Sequence, residues 1–151
     1  MRFYEDLAVG ETETLGSYRV SKAEIVEFAS QYDPQPFHLD EKAAEDSIFG
    51  ELVASGWHTG AICMRLVVEN QDPIATLAGV GIDGLRWHAP VTPGDTIHAH
   101  AEVVDKRTSD RRDDRGYVTR RIEGFDQDGE LLISYEGTAL VERREHGSDD
   151  E

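Results

Sequence analysis

Lysine is scarce in this chain, and positive charge as a whole is outnumbered. The 151 residues include only Lys22, Lys42 and Lys106 as lysines, and 31 aspartates and glutamates face 15 lysines and arginines, so the formal net charge is −16. A surface of this sign repels the phosphates of nucleic acids and of anionic membranes. We therefore predict that the protein binds neither nucleic acid nor membrane.

The excess of acidic residues is spread along the whole chain rather than confined to its end. Such charges repel one another in dilute buffer, whereas at 1 M salt the screening length falls to about 3 Å. The composition is typical of a halophilic cytosol, the alternative being an ordinary acidic protein with an acidic tail. We expect the melting temperature to rise from dilute buffer to molar KCl, and a flat profile would contradict the halophilic interpretation.

Cysteine and long apolar segments are also nearly absent. The single cysteine, Cys63, excludes an internal disulfide, and its apolar neighbours favour a buried, unreactive thiol. No apolar run reaches the roughly 18 residues of a transmembrane helix, and residues 1–6 lack the basic start and apolar stretch of a signal peptide. We predict a cytoplasmic protein.

The order of hydrophobic patterns predicts one α+β domain over residues 1–144 and a disordered acidic tail over 145–151. A capping box formed by Ser21 and Glu24 starts a first helix. A long helix runs from Ser55-Gly56 to about Asn70 and is apolar nearly all round, which predicts burial. We predict strands at 13–20, 77–82, 84–87, 96–106, 117–126 and 130–141. The economical architecture is a curved antiparallel sheet wrapped around the long helix.

An aspartate and a histidine, Asp33 and His38, lie five residues apart in the sequence on either side of Pro34 and Pro36. Each proline pushes its preceding residue toward extended geometry and lacks a backbone donor, so we predict a stiff, non-helical loop. Histidine ordinarily titrates near neutrality, and a carboxylate beside it could hold a water molecule. The pair is the predicted seat of acid–base chemistry, although a helix-ending aspartate and a surface histidine are the alternative.

The start of the long helix is the second candidate site. Its first turn carries unpaired N–H groups and the positive end of the helix dipole, so Gly56 and Trp57 could hold a carbonyl oxygen that gains negative charge. Physical arguments alone give equal weight to two interpretations: a binding site for a carbonyl oxygen, and a simple N-cap formed by Ser55-Gly56. His58 is a lesser candidate for a third catalytic group. No metal is expected, because no carboxylate or cysteine completes a ligand set with His98 and His100.

Three sequence blocks resemble the MaoC-like family of (R)-specific enoyl-CoA hydratases and dehydratases. The first matches the family motif Asp-x-Asn-Pro-x-His-x-Asp with Asp33, Pro36, His38 and Asp40, but Gln35 replaces the usual asparagine. The second runs 49–56 and opens the long helix with Ser55 in place of the common histidine. The third, 90–95, matches the Pro-Val-x-x-Gly-Asp turn.

This resemblance implies a hotdog fold and hydration of a trans-2-enoyl-CoA to an (R)-3-hydroxyacyl-CoA, in fatty acid metabolism and without a cofactor. It implies that Asp33 and His38 activate one water and that the Gly56 N–H binds the thioester oxygen. Which of the pair is the base stays open. Trp57 would shape the acyl pocket, and Met64 stands where some members carry a hydroxyl. The resemblance also implies an acyl-CoA partner and a homodimer or larger homo-oligomer. The alternatives are a thioesterase of the same fold and a non-catalytic acyl-CoA-binding module.

Overall fold

The elements along the chain are a strand, a group of helices and then four strands, as the sequence predicts in outline. The computed structural model describes residues 1–144, so the predicted tail at 145–151 lies outside the described residues. After a 3₁₀ turn at Tyr4–Asp6, the elements are β1 (Thr12–Arg19), α1 (Lys22–Tyr32), α2 (Pro36–Leu39), α3 (Glu41–Glu45), α4 (Gly56–Asn70), β2 (Thr76–Trp87), β3 (Thr96–Thr108), β4 (Arg115–Phe125) and β5 (Leu131–Glu142).

The five strands form one antiparallel sheet in the order β1-β3-β4-β5-β2. Alternation along β3 buries one face, which is the pattern of a half-buried strand. The separate strands predicted at 77–82 and 84–87 are wrong, because they form the single strand β2. Gly84 adopts a φ of +65° at an irregularity in the pairing with β5, which lets the strand bend and continue.

Helix α4 has the predicted bounds and lies against the inner face of the sheet. Four of its side chains join the main core together with inward residues of the strands: Ile62, Cys63, Leu66 and Val67. Cys63 is fully buried, and burial raises the pKa of its thiol to about 12, as expected for an inert cysteine. This curved sheet around a long helix is the predicted hotdog fold of the α+β class.

The prediction that α4 is buried nearly all round is wrong for part of its apolar surface. Met64 is 51% and Val68 60% exposed, because the sheet covers only one side of the helix. The neighbouring edge strand β2 is likewise exposed at all but one of its twelve positions, including Val80 and Ile82. Helix and strand together therefore form an uncovered apolar surface. Among the described residues, no helix is both long and apolar enough to cross a membrane.

Candidate active site

The segment between α1 and α3 is more ordered than the sequence predicts. Asp33 is the C-cap of α1, and Pro36 begins the one-turn helix α2, which contains His38. The prediction of a wholly non-helical loop is therefore wrong. Proline fits the first position of a helix, where its missing N–H has no intrahelical partner to lose. The turn places the two side chains on the same side of the segment.

Asp33 and His38 meet in space. The Nε2 atom of His38 lies 3.3 Å from Oδ2 of Asp33, and their side chains are 7% and 17% exposed. On the other side of the imidazole, Nδ1 lies 2.7 Å from the carbonyl oxygen of Val53. A carbonyl can only accept, so Nδ1 carries a proton, and in the neutral form of the ring the lone pair of Nε2 is directed toward Asp33.

The Asp33 carboxylate is held by two further donors. Gln35 Nε2 donates to Oδ1 at 2.6 Å, and Ser55 Oγ donates to Oδ2 at 2.7 Å. Burial raises the pKa of Asp33, but these two hydrogen bonds and the neighbouring His38 outweigh it, so the pKa lies below the ordinary 3.8. The carboxylate is therefore ionised at neutral pH and presents a fixed acceptor to the cleft.

The first turn of α4 lies beside this pair. Ser55 caps the helix by accepting the Trp57 N–H at 3.2 Å, so that N–H is already occupied. Within residues 1–144, nothing accepts a hydrogen bond from the Gly56 N–H. The carbonyl of Gly56 accepts from the indole of Trp87 at 2.8 Å. The two candidate residues thus differ: the Gly56 N–H is available to a ligand, whereas Trp57 can offer only its side chain.

Position 56 requires glycine because the side chain of Trp87 packs closely against it. A β-carbon there would lie 2.5 Å from Nε1 of Trp87, whose ring packs on the glycine. Because Trp87 occupies that direction, the missing side chain of Gly56 does not open an approach path for a substrate. Trp57, 60% exposed, stands edge-on to Trp87 at 5.4 Å between ring centroids. The two indoles form one wall of the site.

These groups open into one cleft of about 510 Å³. Its lining combines the acid–base pair with aromatic and small apolar side chains: Asp33, Gln35, Phe37, His38, Phe49, Val53, Ala54, Gly56, Trp57, Thr59, Trp87, His88, Ala89, Pro90 and Val91. The Asp33 carboxylate, the His38 imidazole and Gly56, whose N–H is unpaired within residues 1–144, thus line one cleft with mostly apolar neighbours. That arrangement can activate a water molecule beside a bound carbonyl compound.

A larger groove, of about 600 Å³, lies at the other end of α4, beside β2. Its lining is mostly apolar and contains no acid–base pair, so the chemistry belongs to the smaller cleft. No group of three or more histidine, cysteine or acidic side chains in the described part of the chain could hold a metal ion.

Sequence reasoning missed the roles of Ser55 and Trp87 in this site. Ser55 was recognised only as a cap, and its bond to a carboxylate 22 residues earlier leaves no local signal. His58, the lesser candidate, lies outside the cleft and stacks on Phe28 with ring centroids 4.7 Å apart. The structure therefore brings together Asp33, His38 and Gly56 but excludes His58 from direct contact with a ligand in the cleft.

His58 should instead make stability depend on pH. It is 7% exposed, its Nδ1 has no hydrogen-bond partner, and burial lowers its pKa from the ordinary 6.5 despite the charge of Glu24. The unfolded chain therefore binds a proton first as the pH falls, so stability present above pH 6.5 is lost below it.

We expect the melting temperature of His58→Phe to fall by a few degrees less than that of the wild type when the pH is lowered from 7.5 to 5.5. The size follows from a shift of roughly 2–4 °C per kcal/mol. Thermal melts across this range measure the effect. His98→Gln, at an exposed histidine, is the matched control and should keep the wild-type dependence. Equal pH dependence in His58→Phe and wild type would contradict the prediction.

Comparison with known proteins identifies the relatives of the chain. The family described as "MaoC like domain" matches residues 8–123. An uncharacterized protein of Bacillus subtilis, YdeM, is 30% identical over 142 residues, which are 92% of this chain and 98% of YdeM. A mesaconyl-CoA hydratase of Haloarcula hispanica is 40% identical over 122 residues, 79% of this chain but 33% of that protein. The chain thus spans about a third of the hydratase.

A solved structure agrees closely with the fold. The MaoC-like dehydratase from Rhodospirillum rubrum superposes with a TM-score of 0.89 at 44% sequence identity, covering 95% of this chain and 99% of that one. The likeness therefore includes the helices that carry the cleft as well as the sheet.

Proposed function

Because the chain belongs to the MaoC-like domain family, whose members include hydratases and dehydratases, we propose that it is an (R)-specific enoyl-CoA hydratase. It would add water reversibly to a trans-2-enoyl-CoA to give the (R)-3-hydroxyacyl-CoA. The observation that carries the proposal is Nε2 of His38 held 3.3 Å from the Asp33 carboxylate, beside the N–H of Gly56 at the start of α4, which is unpaired among the described residues.

The water-binding step follows from the two acceptors. When His38 carries its proton on Nδ1 alone, Nε2 of His38 and Oδ2 of Asp33 are both acceptors and cannot bond to each other. A water molecule can donate one hydrogen to each and direct its oxygen into the cleft. His38 is then the base, because its lone pair is free and Asp33 stays ionised. Asp33 orients the water and stabilises the imidazolium that forms.

The bond changes balance with one water added. As an O–H bond of the water breaks toward Nε2 of His38, the oxygen bonds to C3 of the substrate and the double-bond electrons move into the thioester. The Gly56 N–H at the start of α4 stabilises the resulting enolate oxygen. The imidazolium then returns its proton to C2, which restores the thioester carbonyl and neutral His38. Dehydration is the same sequence in reverse.

The cleft favours an uncharged acyl group. Its lining residues include no lysine or arginine, and the ionised Asp33 would repel a second carboxylate in the substrate. We therefore expect crotonyl-CoA to be hydrated with a higher kcat/KM than mesaconyl-CoA, in contrast to what the name of the Haloarcula relative states for that protein.

The experiment that tests the function mixes the protein with crotonyl-CoA in molar KCl. Loss of the enoyl-thioester absorbance without release of free thiol supports the hydratase. The product should not be oxidised by a dehydrogenase specific for the (S)-isomer. Thiol release would instead support the thioesterase. No change with crotonyl-, branched and dicarboxylic enoyl-CoAs would contradict both enzymes and favour a binding module.

We also infer that the working enzyme is a homodimer. The exposed edge of β2 carries unpaired backbone groups and apolar side chains, and an antiparallel partner strand from a second copy would cover both. The neighbouring apolar side chains of α4, Met64 and Val68, extend the same surface.

Ile82→Glu, in the middle of this edge, is expected to shift the mass measured by light scattering from dimer to monomer. The charge would meet its own copy across the interface in a chain that is already strongly acidic. Ile48→Glu is the matched control, since Ile48 is 97% exposed in the loop between α3 and α4, outside the β2 edge, and should leave the mass unchanged. A dimer that survives Ile82→Glu at micromolar concentration would exclude this edge as the interface.

A further inference from the structure

Ser55 connects the two halves of the candidate active site through a single hydroxyl. Its side chain is completely buried, although serine is a polar residue that is mostly exposed in proteins. The hydroxyl accepts the Trp57 N–H at 3.2 Å and lies 2.7 Å from Oδ2 of Asp33. One contact is made within the first turn of α4 and the other reaches the end of α1.

The direction of these bonds is fixed by the protons available. The backbone N–H of Trp57 can only donate, so the hydroxyl oxygen accepts there. The Asp33 carboxylate is ionised and can only accept, so the hydroxyl proton must point to Oδ2. That oxygen is the same one that lies 3.3 Å from Nε2 of His38. Ser55 therefore acts on the carboxylate oxygen that faces the base.

We propose that Ser55 is a positioning residue. It orients the Asp33 carboxylate and fixes the distance between that carboxylate and the Gly56 N–H at the start of α4. The inference rests on the proposed hydratase function and deepens it. The water is held by Asp33 and His38, while the thioester oxygen is held by Gly56. Their separation is set by the hydroxyl that bonds to Asp33 and to the helix turn that contains Gly56.

A purely structural cap predicts a different response to substitution. Glycine is nearly as good an N-cap as serine, whereas alanine costs about 1 kcal/mol of stability. Ser55→Gly therefore keeps most of the capping but removes the donor to Asp33. Ser55→Thr keeps both the donor and the cap. The two variants separate a role in the helix from a role in the active site.

The test compares these variants with the wild type in the enoyl-CoA hydration assay. We expect Ser55→Gly to lower kcat/KM by roughly ten- to a hundredfold, the worth of a hydrogen bond to a charged group. Most of the loss should be in kcat. The acid limb of the pH profile should move to higher pH, because a carboxylate that loses a donor takes up a proton more readily. Ser55→Thr should stay within a few fold of the wild type.

A second measurement uses the coupling between the two residues. If Ser55 acts through Asp33, Ser55→Gly should change kcat/KM by less than about twofold in an Asp33→Asn background, since the charge that it serves is gone. Full additivity, or a Ser55→Gly variant with wild-type kcat and pH profile, would overturn the proposal. If Ser55→Gly fails to fold, Ser55→Ala replaces it in the double-mutant comparison alone, where the cost of the lost cap is the same with and without Asp33→Asn and cancels.

Failure of this inference is distinguishable from failure of the proposed function. A wild-type protein that hydrates no enoyl-CoA refutes the hydratase and this role of Ser55 with it. A wild-type protein that hydrates crotonyl-CoA, with an unaffected Ser55→Gly variant, leaves the hydratase intact and reduces Ser55 to a helix cap.

Discussion

Replacing His38 with alanine is expected to lower kcat for enoyl-CoA hydration by about 10²- to 10⁴-fold, the range for a lost acid–base group. The variant removes the lone pair that faces the cleft and the group that returns the proton to C2. Asp33→Ala should cost a similar factor, because the carboxylate 3.3 Å away orients the water and stabilises the imidazolium. Steady-state kinetics on folded variants, checked by thermal melts, measure both losses.

The controls separate chemistry from folding. His98→Ala, at an exposed histidine of β3, should retain wild-type kcat. Removing both Asp33 and His38 should cost little more than removing either one, because residues that act as a unit are not additive. A folded His38→Ala variant with near-normal turnover would refute the assignment of the base.

Local rules were enough to predict most of the scaffold. The capping box of Ser21 and Glu24 forms as predicted, with bonds in both directions. Helix α4 runs from Gly56 to Asn70 as its apolar pattern predicts. Each of these features depends on residues three or four positions apart, or on one periodic pattern, so the information lies within a short window of sequence.

The features that were missed depend on contacts between distant segments. The bond from Ser55 to Asp33 and the packing of Trp87 on Gly56 join residues 22 and 31 positions apart. The uncovered side of α4 was also unpredictable, because an apolar face looks the same in sequence whether the same chain or another copy covers it. The non-helical prediction for 34–40 failed for a local reason: Pro36 begins a helical turn instead of preventing one.

The backbone donor at position 56 can be tested by a substitution that removes the N–H and keeps the helix. Proline is favoured at the first helical position, which Gly56 occupies. The residue before it, Ser55, already has φ −59° and ψ 140°, within the extended region that a following proline requires. The backbone at position 56 therefore accepts proline, and Gly56→Pro deletes the proposed oxyanion donor while its β-carbon displaces the Trp87 ring. We expect kcat to fall by about 10²- to 10³-fold, as for removal of one oxyanion-hole donor.

Gly56→Ala is the matched control, because alanine also introduces a β-carbon against Trp87 but keeps the N–H. Both variants displace the Trp87 ring, so their common loss reports on that contact. The ratio of their kcat values reports the loss of the N–H together with the proline Cδ that takes the place of its hydrogen. If the displaced ring prevents folding, the same pair can be compared in a Trp87→Ala background, where the β-carbon has room. Equal kcat values for the alanine and proline variants would show that the Gly56 N–H does not stabilise the negative charge on the thioester oxygen in the transition state. Another group in the cleft would then have to bind the thioester oxygen. The start of α4 would take no part in the reaction, so Ser55 would only orient Asp33.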